Sequence, residues 1–214
     1  MEKINREKHW DNIYLSKTIQ EVSWYQPKPE TSLQFIRELK LPLTAKIIDI
    51  GGGDSFLVDC LLDLGYENIT VLDISAKAIE RAKQRLGNHT QKVKWIITDV
   101  TNFQPKEKYD VWHDRAAFHF LTAEKDITNY LHTAYAGLAT TGVFIIGTFS
   151  LQGPKKCSGI EVRQYSDNSM IEKTKDLFEN MKCMEVAHTT PFETVQQFIF
   201  CSFRKRQQES VNLK

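Results

Sequence analysis

A short apolar run over 46–50 breaks directly into Gly51-Gly52-Gly53, and apolar residues then recur at Phe56, Leu57, Cys60, Leu61 and Leu64 before Gly65. A β-type run that turns through glycine into helix-spaced apolar residues is a strand-to-helix junction, and glycine permits backbone turns and close approaches that a side chain blocks. The same alternation continues down the chain. Residues 69–73 read as a strand, with Ser75 suited to cap the helix that ends near Leu86; 93–97 and 109–113 read as a third and fourth strand; a helix over 122–138 and a strand over 143–149 follow. Strands alternating with helices need crossover connections, which predicts a largely parallel sheet covered on both faces. The last fifty residues change character: 167–181 carries a helical pattern, while 183–189 and 195–203 read as strands joined by a turn containing Pro191. Two strands that close together pair antiparallel, because a parallel pair needs a long crossover. The predicted class is therefore α/β, a doubly wound, mostly parallel sheet of seven strands ending in an antiparallel hairpin.

At 214 residues the chain holds one such domain, read as 45–206, preceded by a charged and aromatic cap over 1–44 with one short amphipathic helix at 31–41 and followed by a polar tail over 207–214. The 28 basic and 27 acidic residues nearly cancel, so the totals point neither to nucleic acid nor to an anionic membrane as the main partner. Residues 127–154 contain no Asp, Glu, Lys or Arg, yet Asn129, His132, Gly137 and Thr140-Thr141-Gly142 interrupt them, which fits a half-buried helix and a central strand better than a lipid-spanning helix. Cys60, Cys157, Cys183 and Cys201 form no C-x-x-C pair and are too few for a disulfide scaffold; they read as free thiols in a reducing, cytoplasmic setting. The charged first six residues lead into no apolar leader segment, and no two of the six histidines stand at H-x-x-x-H spacing for a metal.

The chemistry gathers at the ends of the predicted strands. Asp49 opens the glycine turn, where helix N–H groups and bare backbone can meet a ligand. Asp73 ends the second strand, a position from which a carboxylate accepts both hydroxyls of a ribose. A nicotinamide site of the Rossmann type would share that acid, but the third glycine of G-x-G-x-x-G is replaced by Phe56. Asp99, after the third strand, adds an acceptor for an exocyclic amine. An adenosine with no bridging pyrophosphate suits this set, and S-adenosylmethionine is the ligand that fits.

The stretch Asp49 to Gly53, with Asp73, Asp99, the Tyr109-Asp110-Val111 strand and the terminal hairpin, resembles the class I S-adenosylmethionine-dependent methyltransferases, in the right order over roughly 46–204. The resemblance implies a Rossmann-like fold. It also implies that Asp49, Gly51 and Gly53 face the methionine and sugar, that Asp73 with Ile74 takes the ribose, and that Asp99 with Val100 takes the adenine. The chain departs from the family's pattern at Ser55, where a further glycine is common. The segment His9-Trp10-Asp11, with Tyr14, resembles one found in some protein-lysine methyltransferases, where it folds over the cofactor; Trp10 and Tyr14 either do the same here or anchor the first helix to the core. Trp24 is likewise either lid or packing.

The stretch Trp112-His113-Asp114-Arg115, continuing to Ala116-Ala117-Phe118-His119, follows in the position that the family sets beside the transferring methyl. Asp114 is a candidate to orient or deprotonate a nucleophile, Arg115 to hold an anionic substrate through two hydrogen bonds, and His119 to act as a base. The alternative is structural: Asp114 paired with Arg115, and His119 buried. The expected reaction is methyl transfer to a small-molecule acceptor, with a protein lysine as the second choice. A nicotinamide oxidoreductase and a noncatalytic cofactor-binding module remain as readings of other classes.

Overall fold

The computed structural model describes residues 5–207; residues 1–4 of the predicted cap and 208–214 of the predicted tail lie outside the described residues. In chain order the strands are β1 (Lys46–Ile50), β2 (Asn68–Asp73), β3 (Val93–Ile97), β4 (Tyr109–Arg115), β5 (Leu138–Phe149), the two-residue strands β6 (Lys156–Cys157) and β7 (Ile160–Glu161), then β8 (Phe178–Thr189) and β9 (Val195–Lys205). The helices are α1 (Arg6–Ser16), α2 (Glu30–Glu38), α3 (Leu57–Asp63), α4 (Ala76–Leu86), α5 (Glu124–Gly137) and α6 (Asp167–Thr174).

Seven strands make one sheet in the order β3-β2-β1-β4-β5-β9-β8. The first five are parallel, β9 runs antiparallel between β5 and β8, and β6 pairs only with β7. From β1 the chain first winds outward through β2 to β3, then resumes on the other side with β4, so the C-terminal ends of β1 and β4 diverge and open a crevice there.

Strand alternation divides the core into two layers. Ile47, Val111 and Ile145 pack under α2 and α3 with Leu33, Ile36, Leu57 and Leu61, whereas Ile48, Trp112 and Ile146 pack under α5 with Ile127, Tyr130 and Leu131. The charge-free stretch resolves into α5 and β5, and no helix among the described residues is long and apolar enough to cross a membrane.

α1 is tied to α4 by side chains rather than by a buried apolar face. Asp11 accepts hydrogen bonds from the Ser75 hydroxyl (2.6 Å) and the Lys77 N–H (3.2 Å), and Arg81 donates to the carbonyls of Tyr14 (3.1 Å) and Lys17 (2.7 Å). Ser75 caps α4 as expected, accepting from the Ala78 N–H at 3.1 Å.

Three expectations need correction. β4 runs on to Arg115, so Asp114 and Arg115 belong to the strand and point to opposite faces. α6 stops at Thr174, and the chain is extended from Phe178, because the length of β9 offers backbone partners that outweigh the local helical pattern. The four cysteines are not all free thiols: Cys183 and Cys201 stand directly opposite each other on β8 and β9, with Cα atoms 4.1 Å apart, and are joined by a disulfide. Their separation of 18 residues concealed a pairing that antiparallel register creates; Cys60 and Cys157 are free.

Candidate active site

A cleft lies at the C-terminal edge of the parallel strands, under α1 and the segment that follows it. The glycine turn forms its floor, with Gly51 at φ +66° and Gly53 at φ +22°, and the N–H groups of Gly51 and Gly52 reach the Leu72 carbonyl. A Cβ on Gly52 would lie 2.5 Å from Asp49 Oδ2, and one on Gly53 2.5 Å from Asp73 Oδ2. Only bare backbone lets the turn rest against both carboxylates.

Asp73 is buried at the end of β2 and accepts from the Ser75 N–H at 2.8 Å. Burial pushes its carboxyl up to about 7, against the pull of the backbone N–H groups of Ser75, Gly53 and Ile74, with Asp49 nearby adding to the rise. Asp99 caps a short turn, accepting from the Thr101 N–H (2.8 Å) and hydroxyl (2.7 Å), while its second oxygen lies 3.8 Å from Arg6. Asp73, Ile74, Asp99 and Val100 line one end of the cleft, with Trp10 beside them.

Asp49 and His113 are cross-strand partners on β1 and β4. Asp49 Oδ1 meets His113 Nδ1 at 2.6 Å, and His113 Nε2 meets the Ser32 hydroxyl of α2 at 2.9 Å, all three residues being buried and lining the cleft. A carboxylate only accepts, so Nδ1 carries a proton and donates to Asp49, while Nε2 shares a hydrogen bond with the Ser32 hydroxyl.

Arg115 projects from the same face of β4 as His113. One guanidinium nitrogen donates to the Trp24 carbonyl at 2.9 Å, and burial lowers its pKa from the ordinary value while Asp49 opposes that shift. Above it Trp10 packs edge-on against Trp24 and Phe120, with ring centroids at 5.7 and 5.0 Å, and Tyr14 packs against Trp24 at 6.3 Å. The tying of α1 to α4 holds this aromatic roof in position.

Three sequence-predicted residues do not line the cleft. Gly53 contributes by letting the turn approach Asp73. Asp114 points to the opposite face, where it accepts from the N–H groups of Ala117 (3.0 Å) and Phe118 (3.1 Å) and the Tyr130 hydroxyl (2.6 Å); burial raises its pKa to about 6. It thereby holds the turn after β4, where Ala116 adopts φ +67°, and it forms no ion pair with Arg115. His119 is fully buried, with its ring centroid 4.6 Å from that of Phe149; Nδ1 accepts from the Phe149 N–H at 3.3 Å, and burial lowers its pKa to about 3. A neutral imidazole buried behind Phe120 and Phe149, and not itself lining the cleft, is not placed to be its base.

Sequence reasoning passed over Ser32, Gly52 and His113, together with Gln196 and Phe198 at the start of β9. Strand parity was the available signal for His113: once Arg115 is assigned to the cleft, His113 two residues earlier shares its face and Asp114 does not.

The comparisons with known proteins agree with this architecture. Residues 47–142 match a family model described as a methyltransferase domain. The chain is 27% identical over 162 residues to malonyl-acyl-carrier-protein O-methyltransferase 1 of Ilyobacter polytropus, covering 72% of this chain and 60% of that protein. It is 25% identical over 157 residues to EEF1A lysine methyltransferase 2 of Homo sapiens, covering 64% of this chain and 65% of that protein. The chain thus spans less than two thirds of the length of these curated relatives. Among solved structures, the N-methyltransferase NodS from Bradyrhizobium japonicum, in complex with S-adenosyl-L-homocysteine, superposes with a TM-score of 0.67 at 17% identity, covering 92% of this chain and 100% of that one. The sheet order, the glycine turn and the match over 47–142 agree with one another: that segment is similar to methyltransferase domains, and the fold is the one seen in the S-adenosylhomocysteine-bound N-methyltransferase NodS.

Proposed function

We propose that the protein transfers a methyl group from S-adenosylmethionine to a nucleophilic atom of a small acceptor. The observation that carries this reading is the pair of carboxylates at neighbouring strand ends, Asp73 and Asp99, lining the cleft together with apolar Ile74 and Val100, and a glycine turn resting on Asp73. These residues suit an adenosyl group: Asp73 accepts from the ribose hydroxyls, Asp99 from the adenine amine, and Ile74 and Val100 flank the base. Gly51 and Asp49 face the remaining part of the molecule. Phe56 stands where a dinucleotide turn has its third glycine, and the Arg85 guanidinium lies 4.2 Å over its ring, which speaks against a nicotinamide cofactor.

When bound, S-adenosylmethionine supplies a sulfonium methyl, which the acceptor's lone pair takes as the S–CH3 electron pair stays on sulfur, the acceptor's proton passing to water. The chain's own part is to bind, orient and exclude solvent, and orientation of this kind contributes several kcal/mol. In this reading residues 1–44 are a cap: Trp10, Tyr14 and Trp24 close over the cleft, and Asp11 and Arg81 secure them to α4. Asp114 and His119, which do not line the cleft, are left with structural roles.

A protein lysine is the second reading, favoured by the similarity to EEF1A lysine methyltransferase 2. Two measurements test the proposal. Calorimetry with S-adenosylhomocysteine is expected to show one site per chain; no binding would overturn the assignment altogether. Incubation with labelled S-adenosylmethionine and fractionated lysate is expected to label small molecules, and label confined to protein would favour the second reading.

A further inference from the structure

Beyond the adenosyl end, the cleft continues over β4, β5 and β9, where Phe120, Phe149 and Phe198 form an aromatic wall. The one charged side chain lining this half among the described residues is Arg115. The cleft's other cation, Arg6, lies beside Asp99 (3.8 Å) and Asp126 (3.3 Å). Arg115 has no carboxylate within ion-pair distance among the described residues; Asp49, the nearest candidate by charge, is already held by His113 at 2.6 Å. A guanidinium presents five N–H donors in a planar fork, and the Trp24 carbonyl takes a bond from only one nitrogen. Asp49 supplies a nearby opposite charge but no hydrogen bond, so the remaining donors of the fork have no protein acceptor among the described residues and are open to an anion. A second unmet group lines the same half: the Gln196 amide oxygen is buried with no hydrogen-bond partner. It calls for an N–H or O–H donor.

We infer that the acceptor is a small aromatic or aliphatic carboxylate that carries an N–H or O–H group, its carboxylate held by Arg115 and its donor by Gln196. This rests on the methyl-transfer reading and narrows it. Bidentate pairing with a guanidinium selects carboxylate over amide geometry, and the same charge repels an ammonium, which disfavours lysine as acceptor. The carboxylate end of the cofactor's methionine is the other source of the same chemistry, and the experiment separates the two.

The probes are benzoate, its neutral isostere benzamide and the cation benzylamine, each titrated by calorimetry or ligand-observed NMR into the full chain saturated with S-adenosylhomocysteine. Benzoate is expected to bind at least about tenfold more tightly than benzamide, with benzylamine not detected. Arg115→Met is expected to abolish the difference between benzoate and benzamide while S-adenosylhomocysteine affinity changes less than about threefold. Gln196→Leu is expected to weaken 4-hydroxybenzoate more than benzoate. Equal binding of benzoate and benzamide to the unaltered protein, which needs no variant to fold, overturns the inference. So does a loss of S-adenosylhomocysteine affinity in Arg115→Met with the benzoate preference intact, since the guanidinium would then serve the cofactor. Failure of S-adenosylhomocysteine to bind the unaltered protein would instead remove the methyl-transfer reading, a separate outcome.

Discussion

His113 donates a hydrogen bond to Asp49 at 2.6 Å across two parallel strands whose residues are 64 positions apart in sequence. The pair sits between the glycine turn and α2, and Ser32 extends it through the other ring nitrogen at 2.9 Å. Asp49 is buried, so its carboxyl group needs this hydrogen-bond partner. His113→Leu should therefore destabilise the fold by about 2–4 kcal/mol, whereas Ser32→Ala, which removes a neutral hydrogen bond, should cost about 1 kcal/mol. Urea unfolding of both variants checks the order; a larger loss for Ser32→Ala would contradict it.

Asp73 and Asp114 are both buried carboxylates at strand ends, yet only Asp73 lines the cleft. Asp73→Ala should weaken S-adenosylhomocysteine binding by about 1.5–3 kcal/mol, the range for hydrogen bonds to a charged group. Asp114→Asn should leave that affinity nearly unchanged and lower the unfolding midpoint, because the amide cannot accept from Ala117, Phe118 and Tyr130 together. Calorimetry and thermal unfolding on the same samples separate the two effects.

The Asp73 carboxyl, held up to about 7, makes binding depend on pH. Ribose hydroxyls donate to the ionised form, so affinity for S-adenosylhomocysteine should rise by up to about tenfold from about pH 6 to about pH 8. The sign for stability is opposite. Between the ordinary carboxylate range and about 7 the folded protein keeps a proton that the unfolded chain has released, so this group's contribution to stability falls as pH rises through that window. Asp73→Asn should flatten the affinity profile and remove that contribution.

Gly53 and Gly87 both have positive φ, at +22° and +53°, but only Gly53 is crowded. A Cβ there would lie 2.5 Å from Asp73 Oδ2 and 2.9 Å from the Ala78 Cβ, whereas none of Gly87's surroundings comes within 4 Å. Gly87→Ala should cost about 1 kcal/mol of stability through backbone strain alone and leave ligand affinity unaltered. Gly53→Ala should cost about 1–3 kcal/mol and weaken S-adenosylhomocysteine, since the turn must lift off Asp73.

The disulfide between Cys183 and Cys201 closes the terminal hairpin away from the cleft. Cys183→Ala should lower stability by about 3 kcal/mol, and a reducing agent should do the same to the unaltered protein, with S-adenosylhomocysteine affinity unchanged in both. Unfolding midpoints that ignore the reductant would count against the bond.

Much of the architecture was legible because it is local. Strand and helix periods, the glycine break and the Ser75 cap are written within ten or so residues, and short-range backbone sterics read them directly. The terminal hairpin followed from a loop too short for a crossover. The helical pattern over 167–181 misled because its second half is pulled into β8 by a strand that comes later in the chain.

The acids at the strand ends could be named from sequence because each stands within two residues of the end of its strand. Which of Trp112, His113, Asp114 and Arg115 meet the cleft depended on how far β4 extends and on which face β1 and α2 cover. His113 gained its role from Asp49 and Ser32, the last from a helix 81 residues away, and Cys183 found Cys201 only through antiparallel register. Local sequence determined the elements and their order, because the sterics that select them act between near neighbours. Tertiary packing decided the partners, because a one-residue change in strand parity turns a side chain from ligand to core.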